Sequence, residues 1–223
     1  SKCFYVDVYK LDNYEPLFEY EGSTVGVAEK FGWTSAIFHE IFNLRDYYLD
    51  RKKVINEGDI VVDLGANIGI FNRWAYHEGA SKVISFEPNK NHFKLLSLNA
   101  DPRSIIFNAA VAHELGTVEL HESAHFGGSN LFGNILDVTT YPVRCYTLDY
   151  LFESGLIDRI DFLKVDIEGS EHSALQGISD ENLAKVKHIA IEYHHSHFDF
   201  NDDLRHSLID RFTKLGFNAY TLF

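Results

Sequence analysis

Asp63-Leu64-Gly65-Ala66-Asn67-Ile68-Gly69 follows directly on the apolar run that begins at Ile60, and it opens a helical stretch expected over Ile68 to His77. Strand, glycine turn and helix in that order form the setting in which such a turn binds a nucleotide. Glycine permits the tight turn and lets a ligand approach the backbone closely. From Asp59 onward, short β-branched runs alternate with amphipathic stretches, the pattern of βαβ units covering both faces of a parallel sheet. Strands are expected at Ile60 to Leu64, Lys82 to Glu87, Ile105 to Ala109, Phe162 to Asp166, His188 to Glu192 and Asn218 to Leu222. Further helices are expected at Asn89 to Asn99, Leu148 to Ser154, Ser170 to Gln176 and Asp202 to Leu215. The segment Gly116 to Val143 breaks the pattern; its alternating TVELHES and glycine-rich FGGSNLFG read as a short strand or hairpin and a loop near the site. The fold class is therefore α/β, Rossmann-like, with a mainly parallel doubly wound sheet.

The groups flanking the turn indicate which nucleotide it accepts. A dinucleotide would lay its pyrophosphate on the helix N-terminus, where the Asp63 carboxylate at the strand end opposes it. S-adenosylmethionine carries a sulfonium and an ammonium and no phosphate, so the same carboxylate attracts it. One strand over, in Ser85-Phe86-Glu87-Pro88-Asn89, Glu87 is placed to accept hydrogen bonds from both ribose hydroxyls and to reject a 2′-phosphate. Plainer readings stand beside these: Asp63 as a helix cap, and Glu87 with Pro88 as a strand-ending turn. At the third strand end, Asn108 and Ala109 either meet the adenine or form an ordinary asparagine turn.

Composition narrows the partners. With 223 residues, 45% of them hydrophobic, the sequence suits one well-packed catalytic unit over residues 58–223, preceded by an aromatic-rich cap element over residues 1–57. A helix is expected within that cap in TSAIFHEIFNLRDYYLDRKKVI. A formal charge of −13 repels a phosphate backbone, and no Asn-Pro-Pro-Tyr segment occurs, so nucleic acid is not the expected substrate. No apolar run approaches the roughly 20 residues of a membrane span. The two cysteines, Cys3 and Cys145, show neither zinc-site spacing nor disulfide density. Since SKCFYVDVYK also lacks a secretory pattern, a soluble protein in a reducing, cytoplasmic setting is expected.

VVDLGANIGIF, SFEPN, NAAV, the Leu148-Asp149 pair in YTLDYLF and above all DFLKVDIEGSEHSALQG resemble the FkbM-type methyltransferases over roughly residues 60–195. The resemblance implies methyl transfer from S-adenosylmethionine to a hydroxyl of a small molecule such as a sugar or polyketide. By position it places Gly65, Ala66, Asn67 and Gly69 along the methionine part, Glu87 and Pro88 at the ribose, and Asp166 and Glu168 between cofactor and acceptor.

In an open α/β sheet ligands bind beyond the carboxyl ends of the central strands, which gathers Asp63, Asp166, Glu168, Glu192, His194 and His195. A hydroxyl acceptor must lose a proton, and His194, then His195, are the first candidates for base, with partly exposed strand-end histidines as the bland reading. A magnesium ion held by Asp166 and Glu192 would do the same work by lowering the acceptor pKa. Lys164, Asp166 and Glu168 also read as a structural ion pair and helix-capping group. Phe31, Trp33, Tyr47, Tyr48 and the loop Gly127 to Asn130 are candidate acceptor contacts, the aromatics otherwise serving as core. A nucleotide-dependent oxidoreductase and a non-catalytic S-adenosylmethionine-binding protein are the competing readings.

Overall fold

A computed structural model describes residues 53–123, 138–192 and 202–218, together with short strand segments at 14–16, 19–20, 23–24, 27–29 and 129–130. In the N-terminal segment, β1 (Tyr14–Pro16) pairs antiparallel with β4 (Val27–Glu29), and β2 (Glu19–Tyr20) with β3 (Ser23–Thr24). The helix expected across residues 34–55 lies outside the described residues except at its end. There it is corrected: Lys53 to Asn56 are irregular, and Val54 and Ile55 turn inward to the core.

Five parallel strands form the main sheet: β5 (Ile60–Leu64), β6 (Lys82–Phe86), β7 (Ile105–Phe107), β12 (Ile160–Val165) and β13 (Val186–Ile191). Their order is β13-β12-β5-β6-β7, so the chain reverses its direction of travel across the sheet between β5 and β12. Helices α1 (Ile70–Glu78) and α2 (Lys90–Asn99) link β5, β6 and β7. Helices α3 (Leu148–Glu153), α4 (Glu171–Gln176), α5 (Asp180–Leu183) and α6 (Asp202–Lys214) accompany the other half. The Rossmann-like α/β class is borne out.

Alternation along the strands builds two cores. Val61, Val83 and Phe162 point to one face, packing with Phe71, Trp74 and Ala75 of α1. Val62, Leu64, Ile84, Phe86, Leu163 and Val165 point to the other, against Leu148, Leu151, Leu175 and Leu208. At the carboxyl end of the first face the alternation brings up Asp63, Ser85 and Lys164 where apolar side chains would otherwise stand. These three are cross-strand neighbours in register.

Element ends differ from expectation for identifiable reasons. Helix α1 starts at Ile70 because Gly69 takes φ 93°, outside the helical region, with Leu96 of α2 close enough to crowd any Cβ there. β7 stops at Phe107, and the chain then passes into a second sheet through β8 (Ala110–Val111). The Gly116 to Val143 segment is a longer hairpin than expected: β9 (Gly116–Ser123) pairs antiparallel with β11 (Val138–Tyr146), β10 (Ser129–Asn130) extends its edge, and β11 pairs with β8. Of the strand expected at 218–222, Asn218 is irregular and the remainder lies outside the described residues.

Candidate functional site

The reversal between β5 and β12 is the point at which an open sheet forms its ligand crevice. The two strand ends touch there: Asp166 N–H donates to the Leu64 carbonyl at 3.2 Å. A Cβ built on Gly65 would fall 1.7 Å from the Asp166 carbonyl oxygen, so residue 65 has no room for a side chain, and its φ of +78° requires glycine independently. The turn is tied on its other side as well, Gly65 N–H and Ala66 N–H both donating to the Phe86 carbonyl.

Asp63 is fully enclosed. Its Oδ2 accepts from Ser85 Oγ at 3.3 Å, and its Oδ1 forms an ion pair with Lys164 Nζ at 3.4 Å. Burial raises its pKa, with Lys164 acting against the rise. Lys164 Nζ also lies 3.2 Å from Asp166 Oδ2 and donates to the Gly65 carbonyl at 2.9 Å. Of the ion pair weighed from the sequence, Lys164 and Asp166 are joined here, and Asp63 is the second carboxylate beside the ammonium.

The polar row continues inward. Asn72 of α1 donates to Ser85 Oγ at 2.9 Å, while its Oδ1 accepts from Asp101 N–H and Ser104 Oγ. Such a chain of hydrogen bonds under an apolar sheet fixes side-chain positions that exposed groups would not hold. Sequence reading passed over Ser85 and Asn72. The signal available was a small polar residue inside the run VISF, with an asparagine on the buried face of the next helix.

Glu87 follows β6 directly and is 5% exposed. Its Oε2 accepts from Asn67 N–H and its Oε1 from Asn89 N–H, each at 2.8 Å. Burial pushes its pKa up to about 7, although both amide donors favour the charged form. The carboxylate thus braces the glycine turn, in which Asn67 is held at φ 50°. Asn89 in turn caps α2, accepting from Asn91 N–H and His92 N–H, and reaches Glu122 of the β9 hairpin through its Nδ2 at 3.0 Å. Asn108 donates through Nδ2 to the carbonyls of Glu87 and Pro88, fixing that turn, and buried Ala109 follows it.

At the end of β12, Glu168 has φ 53°, a conformation costing a non-glycine residue about 1–3 kcal/mol. Buried Glu171 holds the loop, its Oε1 accepting from Ile167 N–H and Gly169 N–H. That gives the last acid of the Lys-x-Asp-x-Glu-Gly-x-Glu pattern a local purpose. The Leu148-Asp149 pair is also structural: Asp149 Oδ1 accepts from Ser179 N–H, Ser179 Oγ and Asn182 Nδ2, joining α3 to α5.

Glu192 N–H donates to the Val165 carbonyl, which sets Glu192 on the strand end next to Asp166. Among the described residues no group of three His, Cys, Asp or Glu side chains is placed to hold a metal ion, and no helix is long and apolar enough to cross a membrane. His194 and His195, with Phe31, Trp33, Tyr47 and Tyr48, lie outside the described residues; of the loop Gly127 to Asn130, the last two residues form β10.

Residues 63–219 match the Methyltransferase FkbM domain. The hexuronic acid methyltransferase AglP of Haloferax volcanii is 26% identical, the match covering 76% of this chain and 72% of that protein. The 31-O-demethyl-FK506 methyltransferase FkbM of Streptomyces tacrolimicus is 27% identical over 73% of this chain and 75% of that protein. The AMB antimetabolite synthetase AmbE of Pseudomonas aeruginosa is 26% identical over 72% of this chain, a match that spans 10% of that protein. The glycine turn, the Glu87 strand end and the 166–171 loop all fall inside the matched residues, and this chain is a methyltransferase that belongs to the FkbM family.

Proposed function

We propose that the chain transfers the methyl group of S-adenosylmethionine to a hydroxyl oxygen of a small molecule or sugar-containing natural product. The observation that carries this reading is the pair of buried acids ending adjacent strands on either side of the glycine turn. Asp63 lies enclosed behind the turn with Lys164 Nζ 3.4 Å from its Oδ1, so its charge would favour a positively charged ligand through its field and not by contact. Each Glu87 oxygen accepts one amide hydrogen and retains a lone pair, so the carboxylate has capacity for two ribose hydroxyls. Gly65, Ala66, Asn67 and Gly69 would run along the methionine part and Pro88 beside the ribose. Asn108 and Ala109 would meet the adenine edge.

Bound there, the cofactor supplies an electrophilic methyl on a positively charged sulfur. The chain's task is to align an acceptor oxygen with it and remove that oxygen's proton. Asp166 and Glu168, on the braced loop beside the turn, would orient the acceptor. His194, with His195 as second candidate, is assigned the proton. Support for a hydroxyl acceptor comes from the O-methylation named in the Streptomyces relative, and support for a small, non-nucleic-acid acceptor from the charge of −13.

Incubation with S-adenosylmethionine labelled in its methyl group and a panel of hydroxylated sugars and polyketides tests the assignment. Label is expected in a product that survives mild alkali, as an ether does. Label released by alkali as methanol would mark a carboxyl ester and overturn the hydroxyl reading.

A further inference from the structure

The feature that the cofactor reading leaves unused is the lysine inside the sheet. Lys164 is 3% exposed, on a strand covered on both faces, and its ammonium lies 5.7 Å from the centre of the Phe71 ring. A buried ammonium keeps its charge only where oxygens replace water. Among the described residues these include the Gly65 carbonyl at 2.9 Å, Asp166 Oδ2 at 3.2 Å and Asp63 Oδ1 at 3.4 Å. If neutralising Asp63 were the whole purpose, that contact would be the shortest of the three. It is the longest. The shortest goes to a backbone atom of the cofactor turn, and the next to the carboxylate on the acceptor side of the crevice.

We propose that Lys164 is a positioning residue that locks the glycine turn and the Asp166 loop into one body, so that cofactor and acceptor groups are set at a fixed spacing. The proposal rests on the reading of Asp63 to Gly69 as the cofactor turn. Strand register makes the lock short: Lys164 lies directly across from Asp63, so one side chain spans both strand ends at the reversal point. The Gly65–Asp166 contact prevents the two loops from approaching further, and Lys164 prevents them from parting.

The test compares S-adenosylhomocysteine affinity and melting temperature in the wild type, Asp63→Asn, Lys164→Met and the double variant. Lys164→Met is expected to lose stability, because Asp63 is left as an uncompensated buried charge, and Asp63→Asn in the same chain to restore it. The double variant should nevertheless bind S-adenosylhomocysteine about tenfold more weakly than Asp63→Asn alone, since the charged hydrogen bond to the turn is gone. Equal affinity in those two variants would reduce Lys164 to a counter-ion and overturn the proposal. Should the double variant not fold, hydrogen exchange on the wild type decides. S-adenosylhomocysteine is expected to slow exchange at Ile167 and Gly169 together with Ala66 and Asn67, and protection confined to the glycine turn overturns it. A wild type that binds no S-adenosylhomocysteine at all overturns the cofactor reading instead, and the role of Lys164 with it.

Discussion

Gly65 and Asp166 meet backbone to backbone where the chain reverses across the sheet, with no space between them for even a methyl group. Gly65→Ala would set a Cβ 1.7 Å from the Asp166 carbonyl oxygen and force an alanine to φ +78°. Clash and strain together should cost upward of about 3 kcal/mol. In a domain of this size that corresponds to a fall in melting temperature of roughly 6–12 °C. Thermal melting should show it, with S-adenosylhomocysteine binding lost in the protein that remains folded.

Glu87 gives the unliganded protein a pH signature. Its pKa rises from an ordinary 4.5 to about 7 on folding, so between those values the folded state holds more protons than the unfolded one. Stability therefore falls as pH rises through this window, and what is lost does not return above it. Glu87→Gln should flatten the decline in melting temperature between about pH 4.5 and 7, measured without ligand. Ribose hydroxyls donating to the carboxylate favour its charged form, so ligand binding near pH 6.5 should release a proton. Calorimetry in two buffers of different ionisation enthalpy measures that release; proton uptake would mean that Glu87 does not accept from the ligand.

Glu171 separates loop order from charge. Glu171→Ala leaves the part-buried N–H groups of Ile167 and Gly169 without the Glu171 acceptor, at about 1 kcal/mol. Amide exchange at those two positions should accelerate, while Glu171→Gln, which keeps a carbonyl oxygen there, should stay close to wild type.

Asp149 belongs to the sequence pattern of the family yet stands among structural partners. Asp149→Ala should lower stability by about 1–3 kcal/mol through loss of the Ser179 and Asn182 bonds. Affinity for S-adenosylhomocysteine should remain within about twofold of wild type, because additivity holds for separate sites. A large loss of affinity would place this aspartate in the site.

The sheet was legible wherever local pattern and burial agree. Ile60 to Leu64 was read with its true bounds, because an apolar run on a doubly covered strand ends at a glycine turn that only one backbone geometry satisfies. Glu87 was visible from its place after the next strand. The Lys164–Asp63–Ser85–Asn72 row was not, although each member is plain in the sequence. Its contacts join residues as much as 101 positions apart, and they exist only because β12 inserts beside β5 instead of following β7. Strand order is a tertiary choice that periodicity does not encode. The start of α1 differs from the expected Ile68 because Gly69 takes φ 93°, a left-handed turn conformation that the helical periodicity does not encode.

The central claim, that acids at the ends of β5 and β6 hold an adenosyl cofactor around the glycine turn, is met most directly by calorimetric titration of wild type and Glu87→Gln. S-adenosylhomocysteine and a nicotinamide dinucleotide serve as the two ligands. One S-adenosylhomocysteine per chain, no dinucleotide binding, and at least about tenfold weaker binding in Glu87→Gln, where an acceptor of the ribose becomes a donor, are expected. Dinucleotide binding without S-adenosylhomocysteine binding, or an affinity that the substitution leaves unchanged, would contradict the claim.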